Sequence, residues 1–222
     1  MLAPDTFFGK NRQEAASGEV QERILDAAVE IFVESGYAQA CTNHIAARAG
    51  VSVGSIYRFF PNKFAINKAI ADRFYAGVEH TVLEFMLSEE AKCPWPERVD
   101  QIVDRLAAFW HDNAALLTAW NVLVGNPEVK GIDEYFTSRA VSLFAGYLSG
   151  IVPDRSPAEY ARISRVIYWS TVSMLDSSVT HATSSSNSLN SLENEKGLID
   201  EVKFMIKSYV SALVAARPPE GA

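Results

Sequence analysis

Between Glu34 and Asp72 the chain carries no Asp or Glu. Its charged residues there are Arg48, Arg58, Lys63 and Lys68, so residues 35–71 carry +4 and the remainder of the chain −11. Residues 49–63 of this window read AGVSVGSIYRFFPNK, a mixture of cations, hydroxyls, glycines and aromatics. Guanidinium and ammonium groups neutralise phosphates, hydroxyls and amides hydrogen-bond phosphate or base edges, and a carboxylate among them would repel the same backbone. The chemistry is recognition of nucleic acid, not bond making. No Gly-rich phosphate loop or nucleophile elbow accompanies it. His111 and His181 have no second ligand three or four residues on, so neither forms a metal signature. No enzyme activity, metal or cofactor is expected.

Such groups need a scaffold that holds them on one face. From Glu19, Val20, Ile24, Ala27, Ala28, Ile31 and Phe32 recur at helical spacing, and Gly36 can end that helix in a left-handed conformation. A short helix starting at Cys41 or Thr42 is stopped by Gly50, and a second follows a cap at Ser52. Pro61 and Asn62 break the chain before a long helix that ends near Leu87, with a span of roughly 38 Å at 1.5 Å per residue. Ile45, Ala46, Ala49, Gly50, Val51, Ile56 and Phe59 supply the small and apolar positions of a helix-turn-helix. In that unit the second short helix enters the major groove, which places Ser52, Val53, Gly54, Ser55, Tyr57 and Arg58 toward DNA. Gly54 lets the backbone come close.

Residues 36–70, GYAQACTNHIAARAGVSVGSIYRFFPNKFAINKAI, resemble the N-terminal signature of the tetracycline-repressor (TetR) family of bacterial transcription regulators. The resemblance implies a helical ligand-binding and dimerising domain after the DNA-binding one, and it implies repression. It places Thr42, Asn43, Ser52, Ser55, Tyr57 and Lys63 at the DNA, with Tyr57 and Lys63 on phosphates. Val53 and Cys41 depart from the common pattern, so base reading falls to Asn43, Ser55 and Arg58. Arg48 and Lys68 are read as solvated helix charges.

The expected organisation is all-α: a flexible N-terminal arm over 1–18, a DNA-binding domain over 19–70 and a regulatory domain over 71–222. Pro and Gly clusters separate further helices over 96–112, 114–125, 132–149, 157–183 and 195–215, with a Ser- and Asn-rich loop at 182–195. All four tryptophans lie in the regulatory part. A pocket for an apolar or aromatic effector is expected from Phe109, Trp110, His111, Trp120, Asn121, Phe144, Tyr147 and Trp169, with His181 as a further polar group. The last two helices carry broad apolar stripes, and Ile167, Ser170, Ser173, Met174, Val202, Ile206, Tyr209 and Leu213 are expected to meet a second copy.

With 222 residues, 48% of them apolar, the chain has enough material for a substantial core, and no run approaches a bilayer span. Two isolated cysteines and the absence of a secretory leader pattern fit a reducing cytoplasm. The expected partners are operator DNA, a second subunit and a small-molecule effector, with no membrane. An alternative is a DNA-binding regulator without such an effector, controlled by a partner protein or by oxidation of Cys41.

Overall fold

In the computed structural model, which describes residues 5–118, 130–184 and 188–216, the described chain is all-α. Its helices are α1 (Asp5–Gln39), α2 (Thr42–Ala49), α3 (Val53–Phe59) and α4 (Lys63–Leu87), followed by a 3-10 turn at Glu89–Lys92. Then come α5 (Trp95–Asp112), α6 (Lys130–Ser149), α7 (Pro157–Ser184) and α8 (Ser188–Ala215). Residues 114–118 are also helical. The chain divides into two compact units within α4, after Arg73.

In the first unit, α1 starts inside the segment expected to be an arm. Gln13, Glu14, Ala15 and Ala16 are good helix formers and outweigh the isolated Gly9 and Gly18. Gly36, at φ 76°, interrupts the helix where expected, and one more turn reaches Gln39. Ile24, Ala28, Ile31 and Phe32 of α1 are buried, as are Ile45, Ala46 and Ala49 of α2, Ile56 of α3, and Ile66 and Ile70 of α4. Phe60, not Phe59, takes the aromatic core position after α3: Phe60 is buried, whereas Phe59 is half-buried under the Arg58 guanidinium, 4.6 Å from its ring centroid. The chain has already left the helix at Phe60, which turns that side chain inward.

The first unit is also held by arginines of opposite roles. Arg23 of α1 donates to the carbonyls of Ala49 (2.9 Å) and Gly50 (3.3 Å), closing the end of α2. Gly50 has φ 64°, a conformation open to glycine at little cost, and its N–H bonds back to Ala46 and Ala47. Arg48 reaches back from α2 to Glu30 and Glu34 of α1, each at 2.8 Å. The hydrogen bond from Arg48 holds the Glu34 carboxyl below its ordinary pKa.

In the second unit, Val99 and Val103 of α5, Leu148 and Val152 at the end of α6, Ile163 and Ile167 of α7, and Val202, Ile206 and Val210 of α8 form one core cluster. A second, aromatic cluster joins Phe74 and Tyr75 of α4 to Phe109 and Trp110 of α5 and Phe136 of α6. Tyr75 stacks on Phe136 with ring centroids 4.1 Å apart, and the Trp110 indole donates to Asp176 of α7 at 2.7 Å. Gly77 is required by this packing, since a Cβ there would lie 2.6 Å from the Phe109 ring. Ser156 and Glu159 form a reciprocal cap on α7: the Ser156 N–H donates to the Glu159 carboxylate at 2.8 Å, and the Glu159 N–H donates to the Ser156 hydroxyl at 3.3 Å. The loop expected over 182–195 is largely absorbed into helix, α7 running to Ser184 and α8 starting at Ser188. Leu189 and Leu192, three apart, continue the helical register of α8 through a polar composition.

Candidate nucleic-acid interface

The N-terminal residues of α3 are built around one cap. The Ser52 hydroxyl accepts from the Ser55 N–H at 3.0 Å and lies 2.9 Å from the Ser55 hydroxyl. It supplies an acceptor to a helix end whose first N–H groups have none. Val53, Gly54 and Ser55 follow on the first turn, Gly54 exposed and the other two half-buried. Nothing in the fold demands glycine at 54: a Cβ there would meet only the Ser52 hydroxyl, at 3.7 Å, and φ is not positive. The free space lies outward.

Tyr57 is 52% exposed and therefore not a core aromatic. Its hydroxyl lies 3.3 Å from the Thr42 hydroxyl, so the last turn of α3 is tied to the first residue of α2. Thr42 consequently does not cap α2. The capping position is Cys41, with extended backbone and no side-chain hydrogen bond to the helix. Asn43, beside Thr42, is exposed, as is Arg58. Thr42, Asn43, Ser52, Gly54, Tyr57 and Arg58 thus come from two adjacent helices, with no carboxylate in the sequence between them.

Lys63 is placed differently from its expected phosphate contact. It is half-buried, donates to the carbonyls of Tyr37 (2.6 Å) and Ala40 (3.0 Å), and sits 4.0 Å from the centroid of the Tyr37 ring. The chain between Gly36 and α2 leaves carbonyls without helical partners, and the ammonium supplies them. Two of its three N–H bonds are spent inside the fold. Arg48 and Lys68 are paired, Lys68 with Asp72 at 2.8 Å, so part of the positive window is neutralised by its flanks. Arg23 and Asn62 contribute positioning contacts that the sequence reading passed over. Asn62 accepts from the Ala65 N–H at 2.8 Å and starts α4. An Asn just before a helix is a recognisable cap signal, whereas a contact across 26 residues, such as that of Arg23, has no local signal.

The expected effector residues separate. Trp110 is 3% exposed with a satisfied indole, and Phe109, Phe144 and Tyr147 are half-buried. His111 and Trp169 are exposed on the chain, Trp169 at 45%. Trp120, Asn121 and the side chain of His181 lie outside the described residues. The expected subunit-contact residues also divide. Ile167, Val202 and Ile206 are buried in the chain's own core, with Met174, Tyr209 and Leu213 packed against it. Ser170 is half-buried and Ser173 exposed. Among the described residues, the large apolar side chains that α7 and α8 expose are Val166, Trp169, Phe204 and Val214. Val166 and Trp169 each stand one position before a predicted contact, since an apolar stripe wide enough for two faces does not say which half faces inward.

Among the described residues no helix is long and apolar enough to cross a membrane. Residues 24–70 match the family model described as bacterial regulatory proteins, tetR family, and residues 94–210 match that of a tetracyclin repressor-like C-terminal domain. The fatty acid metabolism regulator protein of Bacillus subtilis (strain 168) is 51% identical over 72 residues, 31% of this chain and 37% of that protein. The A-factor receptor protein of Streptomyces griseus is 28% identical over 156 residues, 68% of this chain and 53% of that protein. The chain therefore spans between about a third and half the length of these two relatives. A TetR-family transcriptional regulator from Streptomyces coelicolor shares the fold, with TM-score 0.59 and 24% identity over 88% of this chain and 98% of that one. With α3 capped by Ser52 in the first unit, and both units matched by the family's own models, this chain belongs to the TetR family of DNA-binding transcription regulators.

Proposed function

We propose that the chain is a homodimeric repressor that binds a near-palindromic operator and releases it when a small molecule occupies the second unit. The observation that carries the DNA-reading part is the outward side of α3: Ser52, Gly54, Tyr57 and Arg58 are exposed, and the glycine has no packing reason to be one. Asn43, Ser55 and Arg58 read base edges, Tyr57 holds a phosphate, Val53 offers apolar contact, and Lys63 and Arg23 position the helices that carry them. Dimerisation is supported by Val166, Trp169 and Ser173 on α7 and by Phe204, Ser208 and Ser211 on α8, which are exposed in the single chain. An effector is supported by the aromatic cluster around Trp110 and by the relatives, one named a fatty acid metabolism regulator and one an A-factor receptor.

The test is selection of bound duplexes from a random pool, followed by footprinting and sedimentation. A selected site with two half-sites, bound by two chains, is the expected result. Trp169→Glu should leave the chain folded, shift it to monomer and weaken operator binding. A dimeric Trp169→Glu variant moves the interface elsewhere, and failure of any sequence to enrich overturns operator recognition by α3.

A further inference from the structure

Within the second unit, the start of α5 and the end of α6 bring polar side chains together without completing their hydrogen bonds. The Arg98 guanidinium carbon lies 5.4 Å from the centroid of the Tyr147 ring. The Arg98 Nε and the Tyr147 hydroxyl are both buried, and neither has a hydrogen-bond partner. Two carboxylates of the same region are ion-paired with other residues: Asp100 Oδ1, buried and without a hydrogen bond of good geometry, lies 2.5 Å from the Lys207 ammonium, and Glu90 pairs with Arg105. Cys93 adjoins the pair, its thiol 3.8 Å from the Gln101 side-chain nitrogen. Burial pushes the Tyr147 hydroxyl pKa up, with Arg98 opposing and Cys93 reinforcing the shift, so the hydroxyl keeps its proton at neutral pH.

Arginine has donors and no acceptor, and a neutral tyrosine and a Gln nitrogen also donate. Buried donors are satisfied in the great majority of native sites, and a charged donor without a partner is the most costly kind to leave. What this cluster lacks is an oxygen that carries negative charge. The pair is flanked in sequence by apolar residues: Val99 and Leu148 belong to the core cluster, and Trp95, Ile102 and Ile151 pack against that cluster. We propose that Arg98 and Tyr147 form an oxyanion site that takes the carboxylate or phosphate end of a small molecule with an apolar body. The regulatory meaning of the site rests on the effector reading above. Its binding chemistry does not, and it changes the expected effector from apolar to amphiphilic.

The probes are decanoate, decyl phosphate, inorganic phosphate and decanol, followed by thermal shift and tryptophan fluorescence on the full chain. At least one anionic decyl compound should bind about tenfold or more tightly than decanol, because charge-assisted bonds are the strong ones. Decanoate and decyl phosphate distinguish the two anions, and inorganic phosphate shows whether the apolar body is needed. Arg98→Gln should lose that preference, and Tyr147→Phe should weaken the anion while leaving decanol unchanged. Arg98→Met keeps the apolar stem, rests its thioether on the Tyr147 ring in place of the guanidinium and removes no hydrogen-bond partner, so its ligand-free melting temperature should equal or exceed wild type. Equal binding of decanol and the anions, no binding of any anion, or undiminished anion binding in Arg98→Gln overturns the site. So does a melting temperature of ligand-free Arg98→Met below wild type, which makes Arg98 structural. An anion that binds through Arg98 without releasing operator leaves the site standing and overturns the effector reading instead.

Discussion

Gly54→Ala separates the fold's needs from those of a DNA surface. Inside the chain the added methyl meets only the Ser52 hydroxyl at 3.7 Å, an ordinary contact, and the backbone is already helical without positive φ. Replacing glycine by alanine in a helix is worth about 0.5–1 kcal/mol, and the second residue of α3 should realise the lower end. The variant should therefore melt about 1–2 °C above wild type or level with it. On the outside, a methyl forced into a packed contact costs about 1–3 kcal/mol. That is roughly 5- to 150-fold in affinity for each reading head. Two heads on one operator suffer it twice. The assay is fluorescence anisotropy on the selected duplex across a salt series. Affinity should fall while the salt slope stays constant, because no cation is removed. A variant with wild-type operator affinity at every salt concentration refutes the claim that α3 approaches DNA through Gly54.

Gly77→Ala would place a methyl 2.6 Å from the Phe109 ring, so the second unit should lose about 1–3 kcal/mol by denaturant melt, recovered in part by adding Phe109→Leu. Cys41→Ser gives α2 the hydroxyl cap it lacks and should stabilise the first unit by about 0.5–1 kcal/mol. If the same variant abolished regulation by oxidant, control through Cys41 would replace the small-molecule reading. The Glu159 carboxyl is held below its ordinary pKa by the Ser156 backbone and hydroxyl, a folded-state depression whose stabilisation is present above the unfolded pKa and lost as pH falls through the folded value. Glu159→Gln should flatten the fall in melting temperature on acidification below about pH 4.5, the usual glutamate range. An unchanged acid limb in that variant removes the cap from the account of acid sensitivity.

Much of the reading unit was legible because its signals are local. Gly36 and Gly50 mark positive φ, Ser52 marks a cap, and the 3.6-residue spacing of apolar side chains marks the faces of α1, α2 and α4. These are properties of a few consecutive residues, which backbone sterics and helix geometry dictate wherever the segment lies. The absence of carboxylates between Glu34 and Asp72 is likewise a fact of composition, and it singles out this window as the one suited to meet phosphate. Tertiary structure alone decided how those residues are used. It turned Lys63 inward onto the carbonyls of Tyr37 and Ala40, handed Arg48 to Glu30 and Glu34, and brought Arg23 across 26 residues to close α2. It also chose Ile167 and Val202 for the chain's own core and left Trp169 and Phe204 outside. Periodicity gives a helix its apolar sector, but the rotation of that sector depends on which neighbour it meets. A charge shows its sign in the sequence, but its partner is fixed only when distant segments pack together.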